Sequence, residues 1–321
     1  MKSNPIVIVL GQTNSIIYEI FFKALKSKKY RSPILVITCK NIFLKKMKKF
    51  NFNEEIKIHD FLNLNKNLLL KKKINLVNIP YHLNLKSKKK IYYEREYIKR
   101  TFDVAIKIIK AGITNKFING PINKSLFLNK EYLGITEYLS DKFKEKNIGM
   151  LIYNKKLAVS PLTTHLPIKL VSKNISKKLI LDRIKLINNF YLQNFKKKPL
   201  IAVTGLNPHC ESILKKNEDK IIISKALAVS KKSKILVYGP YSADTIFLKQ
   251  NRKKFDVILG MYHDQVLTPL KTLYEYDAIN LTMGLPFFRV SPDHGPNEKM
   301  INKNNSNPIS LIRALEFLDK V

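Results

Sequence analysis

Three of the six histidines lie in loops rich in proline or glycine that follow predicted strands, and their chemistry is the easiest to define. His165, His209 and His263 are separated by 44 and 54 residues, which excludes a local zinc finger or an H-E-x-x-H helix and allows a composite site. Three neutral imidazoles around one open position bind a divalent ion such as zinc and leave room for a substrate oxygen. The alternative is that each histidine is a loop residue hydrogen-bonded to the backbone.

Two of these histidines have neighbours with candidate roles of their own. Asp264 follows His263 and either accepts a hydrogen bond from the second ring nitrogen or caps the next helix. Cys210 follows His209 and is either a ligand in a soft-metal site or a buried, inert thiol. In both cases we expect the simpler role, a helix cap and an inert thiol.

The segment from Asp256 to Glu298 carries only two positive charges, Lys271 and Arg289. Asn280 lies between them at the end of a predicted strand. A guanidinium fork, an ammonium and an amide suit a phosphate or a carboxylate, so these three residues form a candidate anion site. The alternative is that each cation pairs with a neighbouring acidic side chain.

Short β-branched runs alternate with amphipathic stretches along the chain, which is typical of βα units that build a mainly parallel sheet. The predicted strands are residues 6–10, 34–38, 117–119, 150–153, 200–204, 235–238, 257–259 and 278–281. The clearest predicted helices are residues 92–111, 176–195, 219–230 and 309–320. In the second half of the chain, nearly every strand ends in a cluster of Gly, Pro, His, Asn or Thr. Ligands bind at the carboxyl ends of strands in open α/β sheets, so these loops should assemble a site.

The composition excludes several classes of protein. With 321 residues, 45% of them hydrophobic, the chain can bury a substantial core. It contains neither a membrane-spanning apolar run nor a signal-peptide core, so we expect a cytoplasmic protein with no membrane partner. Two distant cysteines, Cys39 and Cys210, indicate neither a disulfide framework nor a thiolate zinc site. Residues 63–90, rich in lysine and asparagine, are predicted to be a surface excursion.

The formal net charge is +35, from 59 Lys and Arg against 24 Asp and Glu. Only seven of those cations are arginine, whose planar fork usually reads bases and clamps phosphates. A basic nucleic-acid-binding protein is the hypothesis from another class, and it would need lysines clustered on one face. The lysines occur instead in nearly every helix and many loops. We therefore interpret the charge mainly as a property of a solvated surface.

Several motifs resemble, in order and spacing, the 4-hydroxythreonine-4-phosphate dehydrogenase family of pyridoxal phosphate biosynthesis. They are THLP (164–167), GLNPH (205–209), GPYSADTIF (239–247), YHDQ (262–265) with Lys271 behind it, and NLTMGLPFFRVSPDHG (280–295). The resemblance implies an isocitrate/isopropylmalate-dehydrogenase-like fold, with two α/β/α domains and a cleft between them. The first domain would comprise residues 1–133 and 290–321. Residues 134–289 would form the second, with the metal and substrate site and the interface of a homodimer that shares each site between chains.

The same resemblance implies roles for particular residues. One divalent ion, zinc, magnesium or cobalt, would be held by His165, His209 and His263, which would be catalytic together with Lys271. The substrate-binding residues would be Thr136, Lys271, Asn280, Arg289 and Asp244, the last of these also a candidate contribution from the partner chain. NAD or NADP would contact Asp293, His294 and Gly295. The family binds NAD without a G-x-G-x-x-G loop, and this sequence has none.

The implied reaction is the NAD-dependent oxidation of 4-phosphooxy-L-threonine to a 3-keto acid, which loses carbon dioxide to give 3-amino-2-oxopropyl phosphate. Three departures from the family pattern stand out. Ile135 replaces a histidine before Thr136, GQTNSIIYE (11–19) replaces a glycine-rich loop while still allowing a helix to begin, and GPNEKMINKNNSNP (295–308) replaces a G-T-A-rich turn. They keep two alternatives open: a dehydrogenase of threonate or erythronate 4-phosphate, and a member that has lost catalysis.

Overall fold

The chain forms two compact units in the computed structural model, which describes residues 3–81, 87–123, 127, 131–132, 134–211, 217–292, 297–301 and 303–321. Unit 1 comprises Met1–Lys144 and Leu285–Val321, and unit 2 comprises Glu145–Gly284. The sequence places the boundaries at 133/134 and 289/290 instead. The second boundary falls earlier than predicted because strand Phe288–Pro292 pairs in parallel with strand Lys116–Asn119 of unit 1. Thr136 and Arg289 consequently belong to unit 1 and not to the second domain.

The described strands of unit 1 are all parallel to their neighbours. They are β1 (Ile6–Val9), β2 (Ile34–Thr38), β3 (Ile56–His59), β4 (Ile74–Asn78), β5 (Lys116–Asn119) and β12 (Phe288–Pro292). Their order across the sheet is β3-β4-β2-β1-β5-β12. Strands β1 and β2 are buried along their whole length, as expected for inner strands of a sheet covered on both faces.

Helices cover this sheet. They are α1 (Ile17–Ser27), α2 (Lys40–Lys49), α3 (Ser87–Lys110), α4 (Ile135–Phe143) and α11 (Ile309–Lys320), with short 3₁₀ turns at Lys66–Leu68 and Glu298–Met300. The apolar face of α1 packs on α2 and on the segment after it through aromatic rings. Phe22 lies 5.3 Å from Phe43 of α2 and 4.7 Å from Phe52, which follows α2, centroid to centroid. Such pairs add to the stabilisation from the buried apolar area.

Strand β4 lies inside the stretch that the sequence predicts to be a surface excursion. Three consecutive lysines precede β4, and Asn75 interrupts its apolar pattern, so the sequence gives no clear strand signal there. The Leu76 and Val77 side chains are nevertheless almost completely buried. The Asn75 side chain is itself satisfied. It contacts His59 Nε2 at 2.9 Å and donates to the Ile34 carbonyl at 3.1 Å, so a polar residue is accommodated inside the sheet.

Unit 2 contains a mixed sheet. Its described strands are β6 (Gly149–Asn154), β7 (Leu157–Thr163), β8 (Ile201–Thr204), β9 (Val237–Tyr241), β10 (Val257–Tyr262) and β11 (Ile279–Met283), in the order β11-β6-β7-β10-β8-β9. Strands β7, β10, β8 and β9 run parallel, whereas β6 is antiparallel to both β7 and β11. The carboxyl ends of β7, β10 and β8 therefore meet at one edge of the sheet.

The helices of unit 2 are α5 (Ile168–Asn174), α6 (Lys177–Phe195), α7 (Ser224–Lys232), α8 (Ala243–Ile246), α9 (Lys249–Arg252) and α10 (His263–Tyr274). A 3₁₀ turn spans Pro208–Cys210, and a π-helical turn at Asp219–Ile223 leads into α7. The start of α6 is capped by Ser176, whose hydroxyl oxygen accepts from the Leu179 amide at 3.2 Å. No helix in the described part of the chain is both long and apolar enough to cross a bilayer.

Candidate functional site

His165 and His263 approach each other at the carboxyl edge of the unit 2 sheet. His165 follows β7 and His263 begins α10 directly after β10, and the ends of these strands are paired, with Thr163 opposite Tyr262. The two imidazole rings lie 6.4 Å apart, centroid to centroid, and are inclined by 32°. His165 has a positive φ of 42°, a conformation that most residues avoid. Parallel strand pairing thus brings together two side chains almost a hundred positions apart in sequence.

Asp264 orients His263. Its Oδ1 lies 2.6 Å from His263 Nδ1, and the first turn of α10 has no side-chain cap. The orienting role is therefore the one adopted, and the helix-cap expectation is wrong. With Nδ1 bound to a carboxylate, the Nε2 lone pair of His263 is left to bind a ligand, an arrangement that recurs around metal-binding histidines.

His209 lies in the loop after β8 and has different neighbours. Its Nδ1 is 3.4 Å from the Ser242 hydroxyl and 3.9 Å from Asp244 Oδ2, and the imidazole is 73% exposed. His209 also has a positive φ, of 55°. Asp244, a predicted substrate residue, therefore accompanies the third histidine.

The spacing of the first pair is slightly wider than that of two imidazoles bound to one ion. Two imidazoles that bind one ion at about 2.0–2.1 Å have ring centroids roughly 5–6 Å apart, close to the spacing of His165 and His263. Across the described residues, however, no set of three or more His, Cys, Asp or Glu side chains is arranged to hold an ion. The described part of one chain thus brings together two of the three predicted ligands and leaves His209 apart.

Asp219 holds the loop that carries His209. This carboxylate is 1% exposed and accepts hydrogen bonds from the Leu206 amide at 2.7 Å, the Asn207 amide at 3.2 Å and Asn207 Nδ2 at 2.7 Å. A side chain at Gly205 would not fit, since its Cβ would lie 2.6 Å from Asp219 Oδ1. Asp219 was not predicted from the sequence, because a carboxylate ten positions after the histidine gives no local signal.

Cys210 is only partly buried, whereas the sequence predicts a buried thiol. Burial raises the pKa of the thiol, with Asp219 adding to the effect, so the protonated form dominates at neutral pH.

Arg289 and Thr136 come together in unit 1. Arg289 is 4% exposed, donates from Nε to Asn119 Oδ1 at 2.8 Å and from Nη1 to the Thr136 hydroxyl at 3.4 Å. Burial lowers the pKa of the guanidinium to about 10, and Glu137 opposes that shift, so Arg289 stays charged at neutral pH. Asn119 was not singled out in the sequence, although it ends β5 and begins the polar run NGPINK (119–124). Two predicted substrate residues, the buried cation Arg289 and the hydroxyl-bearing Thr136, are thus neighbours.

Lys271 and Asn280 both lie in unit 2, Lys271 in the last turn of α10 and Asn280 within β11. The Asn280 Oδ1 atom is buried and has no hydrogen-bond partner among the described residues. A buried acceptor without a donor is unusual in a native protein and indicates a group that accepts from a ligand.

The GQTN loop after β1 remains ordered despite its lost glycines. Gly11 has a φ of 75°, and its missing Cβ would lie 2.6 Å from the Pro121 carbonyl oxygen. Thr13 donates from its amide and its hydroxyl to the Glu94 carboxylate, at 2.7 and 2.8 Å. Helix α1 then begins at Ile17, as the sequence allows.

The predicted cofactor contacts Asp293, His294 and Gly295 lie outside the described residues.

Comparison with known proteins places these motifs in a family. The family model of the pyridoxal phosphate biosynthetic protein PdxA matches residues 29–318, a longer stretch than the motifs themselves cover. The chain belongs to the PdxA family. It is 34% identical over 320 residues to a 4-hydroxythreonine-4-phosphate dehydrogenase of Sulfurihydrogenibium sp., covering 97% of this chain and 96% of the relative.

Solved structures agree with the PdxA assignment. The 4-hydroxythreonine-4-phosphate dehydrogenase of Klebsiella pneumoniae matches with a TM-score of 0.83 and 26% identity, covering 98% of each chain. Isocitrate dehydrogenase from Methylococcus capsulatus matches with a TM-score of 0.50 and 11% identity, covering 98% of this chain and 84% of the other. The predicted fold class is confirmed, and the PdxA family places the chain among the oxidoreductases of pyridoxal phosphate biosynthesis.

Proposed function

We propose that this PdxA-family chain oxidises 4-phosphooxy-L-threonine with NAD or NADP and one divalent metal ion. The observation that carries the proposal is the His165–His263 pair, with Asp264 fixing one ring of it. The relatives named 4-hydroxythreonine-4-phosphate dehydrogenase supply the substrate. We further propose a cytoplasmic homodimer in which His209 reaches the ion across the interface, because His209 is exposed and stands apart from the other two histidines.

His165, His263 and His209 would hold the ion, which could be zinc, magnesium or cobalt. When bound, the ion supplies Lewis-acid chemistry, which lowers the pKa of a coordinated hydroxyl and polarises a carbonyl. The protein's part is to hold the imidazoles. Asp264 lies at His263 Nδ1 and so would orient the ring with Nε2 turned away from the carboxylate, toward the ion.

Arg289 and Thr136 would bind an anionic end of the substrate, with Asn280 and Lys271 as further contacts and Asp244 beside His209. Arg289 is held by Asn119 and needs little ordering when the substrate arrives, which favours a defined orientation of the reacting C–H bond. In the reaction the C–H bond yields its hydride to NAD and the hydroxyl loses its proton. The resulting β-keto acid then releases carbon dioxide.

The runner-up substrate is threonate or erythronate 4-phosphate, and Ile135 favours it. Ile135 is 6% exposed and has no side-chain donor for a phosphate. The test is to measure NADH formation with each phosphorylated acid under the same metal and NAD concentrations. We expect a higher kcat/KM with 4-phosphooxy-L-threonine. A higher value with the hydroxy acid that lacks the amino group would replace the proposal with the alternative.

A further inference from the structure

Gln265 connects two of the histidine-bearing loops through a single side-chain amide. Its Oε1 accepts from the Thr204 hydroxyl at 2.7 Å and from the Met261 amide at 2.7 Å, and its Nε2 donates to the Gly205 carbonyl at 2.8 Å. Thr204 ends β8 and Gly205 begins the loop that leads to His209, whereas Met261 is the second-last residue of β10, two positions before His263. The amide therefore ties together the two strand ends from which His209 and His263 emerge.

The third histidine loop joins the same network. The Thr163 hydroxyl, at the end of β7 and two positions before His165, donates to the Met261 carbonyl at 2.8 Å. Both backbone groups of Met261 are thus used, the carbonyl toward the His165 loop and the amide toward Gln265. Hydrogen bonds link all three loops, although the described residues contain no three-ligand cluster.

The surroundings of Gln265 are shaped for its amide. A Cβ at Gly260 would lie 3.1 Å from Gln265 Oε1 and 2.3 Å from Val266 Cγ1, so glycine leaves the room that the side chain needs. The side chain at this position must accept from the Thr204 hydroxyl and the Met261 amide, and it must donate to the Gly205 carbonyl. Glutamate lacks the donor and methionine lacks both functions, so the amide is chemically specific here.

We propose that Gln265 is a positioning residue that sets the His263 loop toward the ion of its own chain and the His209 loop toward the ion that His209 would reach across the dimer interface. The inference rests on the proposed function, because it assumes that these histidines are the metal ligands. Gln265 contacts neither the ion nor the substrate in this account. It acts through the backbone at Gly205 and Met261, as partners outside the ligand set commonly do.

The experiment is a Co²⁺ titration of the metal-stripped full-length protein, following the cobalt absorption spectrum, for wild type, Gln265→Met and a control, Gln193→Met. Gln193 is an exposed residue of α6, so its replacement changes the same chemistry away from the network. We expect Gln265→Met to weaken Co²⁺ binding about 10- to 100-fold and to alter the spectrum of the fully loaded protein. The control should match wild type in both.

The spectrum separates positioning from plain stability. A residue that only stabilised the fold would lower the melting temperature and leave the spectrum of the loaded site unchanged, and that result, like wild-type affinity, would overturn the proposal. If Gln265→Met does not fold, Thr204→Val removes one hydrogen bond to the same amide and should weaken Co²⁺ binding several-fold. Failure of the wild type itself to bind Co²⁺ would overturn the proposed function and this inference together, whereas wild-type-like binding by the variants would overturn only the inference.

Discussion

Arg289 is a buried cation held in place by two polar side chains. Asn119 and Thr136 accept from it, while burial holds the pKa of its guanidinium to about 10, still well above neutral pH. A buried guanidinium that is fixed in place and stays charged at neutral pH is suited to an anionic ligand.

Replacing Arg289 with lysine should therefore weaken substrate binding. Lysine keeps the charge but loses the planar fork, so we expect KM for the phosphorylated substrate to rise by roughly 10- to 100-fold. Steady-state kinetics measure this, with Arg31→Lys on the exposed surface as the matched control. An unchanged KM in Arg289→Lys would show that Arg289 has only a structural role.

At the residue scale, the sequence predicts side chains that carry their own chemical signal. His165 and His263 stand out because each lies in a polar loop after a strand. Arg289 stands out because the segment from Asp256 to Glu298 has only two positive charges. Asp219 and Gln265 carry no such signal, because their importance lies in backbone contacts with residues remote in sequence. Only the folded chain shows that Asp219 receives three hydrogen bonds from the loop of His209.

The loop between β8 and the π-helical turn is the element that Asp219 controls. Asp219→Asn keeps the size of the side chain but replaces one acceptor oxygen with a donor, leaving buried N–H groups without partners. We expect the variant to lose about 1–3 kcal/mol in the free energy of unfolding and to bind divalent metal more weakly. Urea unfolding and metal titration measure these two effects. The control is Glu211→Gln, an exposed position of the same loop, which should change neither the free energy of unfolding nor the metal affinity. Wild-type stability in Asp219→Asn would contradict the role given to Asp219.

Glu316 of the C-terminal helix α11 connects this helix to another part of unit 1. Its carboxylate contacts Lys28 Nζ at 2.7 Å and Arg313 Nη1 at 3.0 Å. Burial alone would raise the pKa of this carboxyl, but the hydrogen bonds from Lys28 and Arg313 outweigh burial and hold the pKa below its ordinary value. A carboxyl with a depressed pKa in the folded state contributes stability above its unfolded pKa, and this stability is lost as the pH falls through the folded pKa.

Glu316→Gln should accordingly lower the unfolding free energy by about 1 kcal/mol near neutral pH, since Lys28 is partly exposed to solvent. The difference from wild type should fade below about pH 4, where the wild-type carboxyl also becomes neutral. Thermal unfolding across pH tests this. Glu54→Gln makes the same change of charge at an exposed site and should show no such pH-dependent difference; a constant difference at every pH in Glu316→Gln would refute the electrostatic explanation.

At the scale of elements, strands with continuous apolar runs are predictable and interrupted strands are not. Strands β1 and β2 and helix α11 lie where the sequence places them, because the strands are continuous apolar runs and the helix has a clear amphipathic pattern. Strand β10 begins where predicted but continues three residues further, to Tyr262. Strand β4 was hidden by flanking lysines and Asn75. The boundaries of the units also depend on β12 pairing with β5, a contact between residues more than 160 positions apart that local patterns do not reveal.

For the whole molecule, a net charge of +35 implies a positive field around the protein. Substrate phosphate and NAD are both anions, so the field should speed their encounter. We expect kcat/KM to fall by roughly tenfold or more when ionic strength is raised from low to near-molar salt. Sucrose at matched viscosity controls for slower diffusion. A kcat/KM that does not change with ionic strength would contradict electrostatic steering of the substrate.

The same charge keeps nucleic-acid binding as the hypothesis from another class. If the lysines are only solvent-exposed surface residues without a nucleic-acid partner, filter binding with mixed-sequence DNA and RNA should show no complex at physiological salt. Tight, saturable binding there would restore the hypothesis that the basic surface has a partner of its own.

The most direct test of the central claim is the dependence of turnover on the metal ion and on His263. Metal-stripped protein is mixed with NAD and 4-phosphooxy-L-threonine, and NADH formation is followed before and after addition of a divalent ion, for wild type and for His263→Ala. The account predicts no NADH from the stripped protein, recovery when the ion is added to wild type, and no recovery in His263→Ala. Equal turnover with and without the ion, or full recovery in His263→Ala, would contradict it.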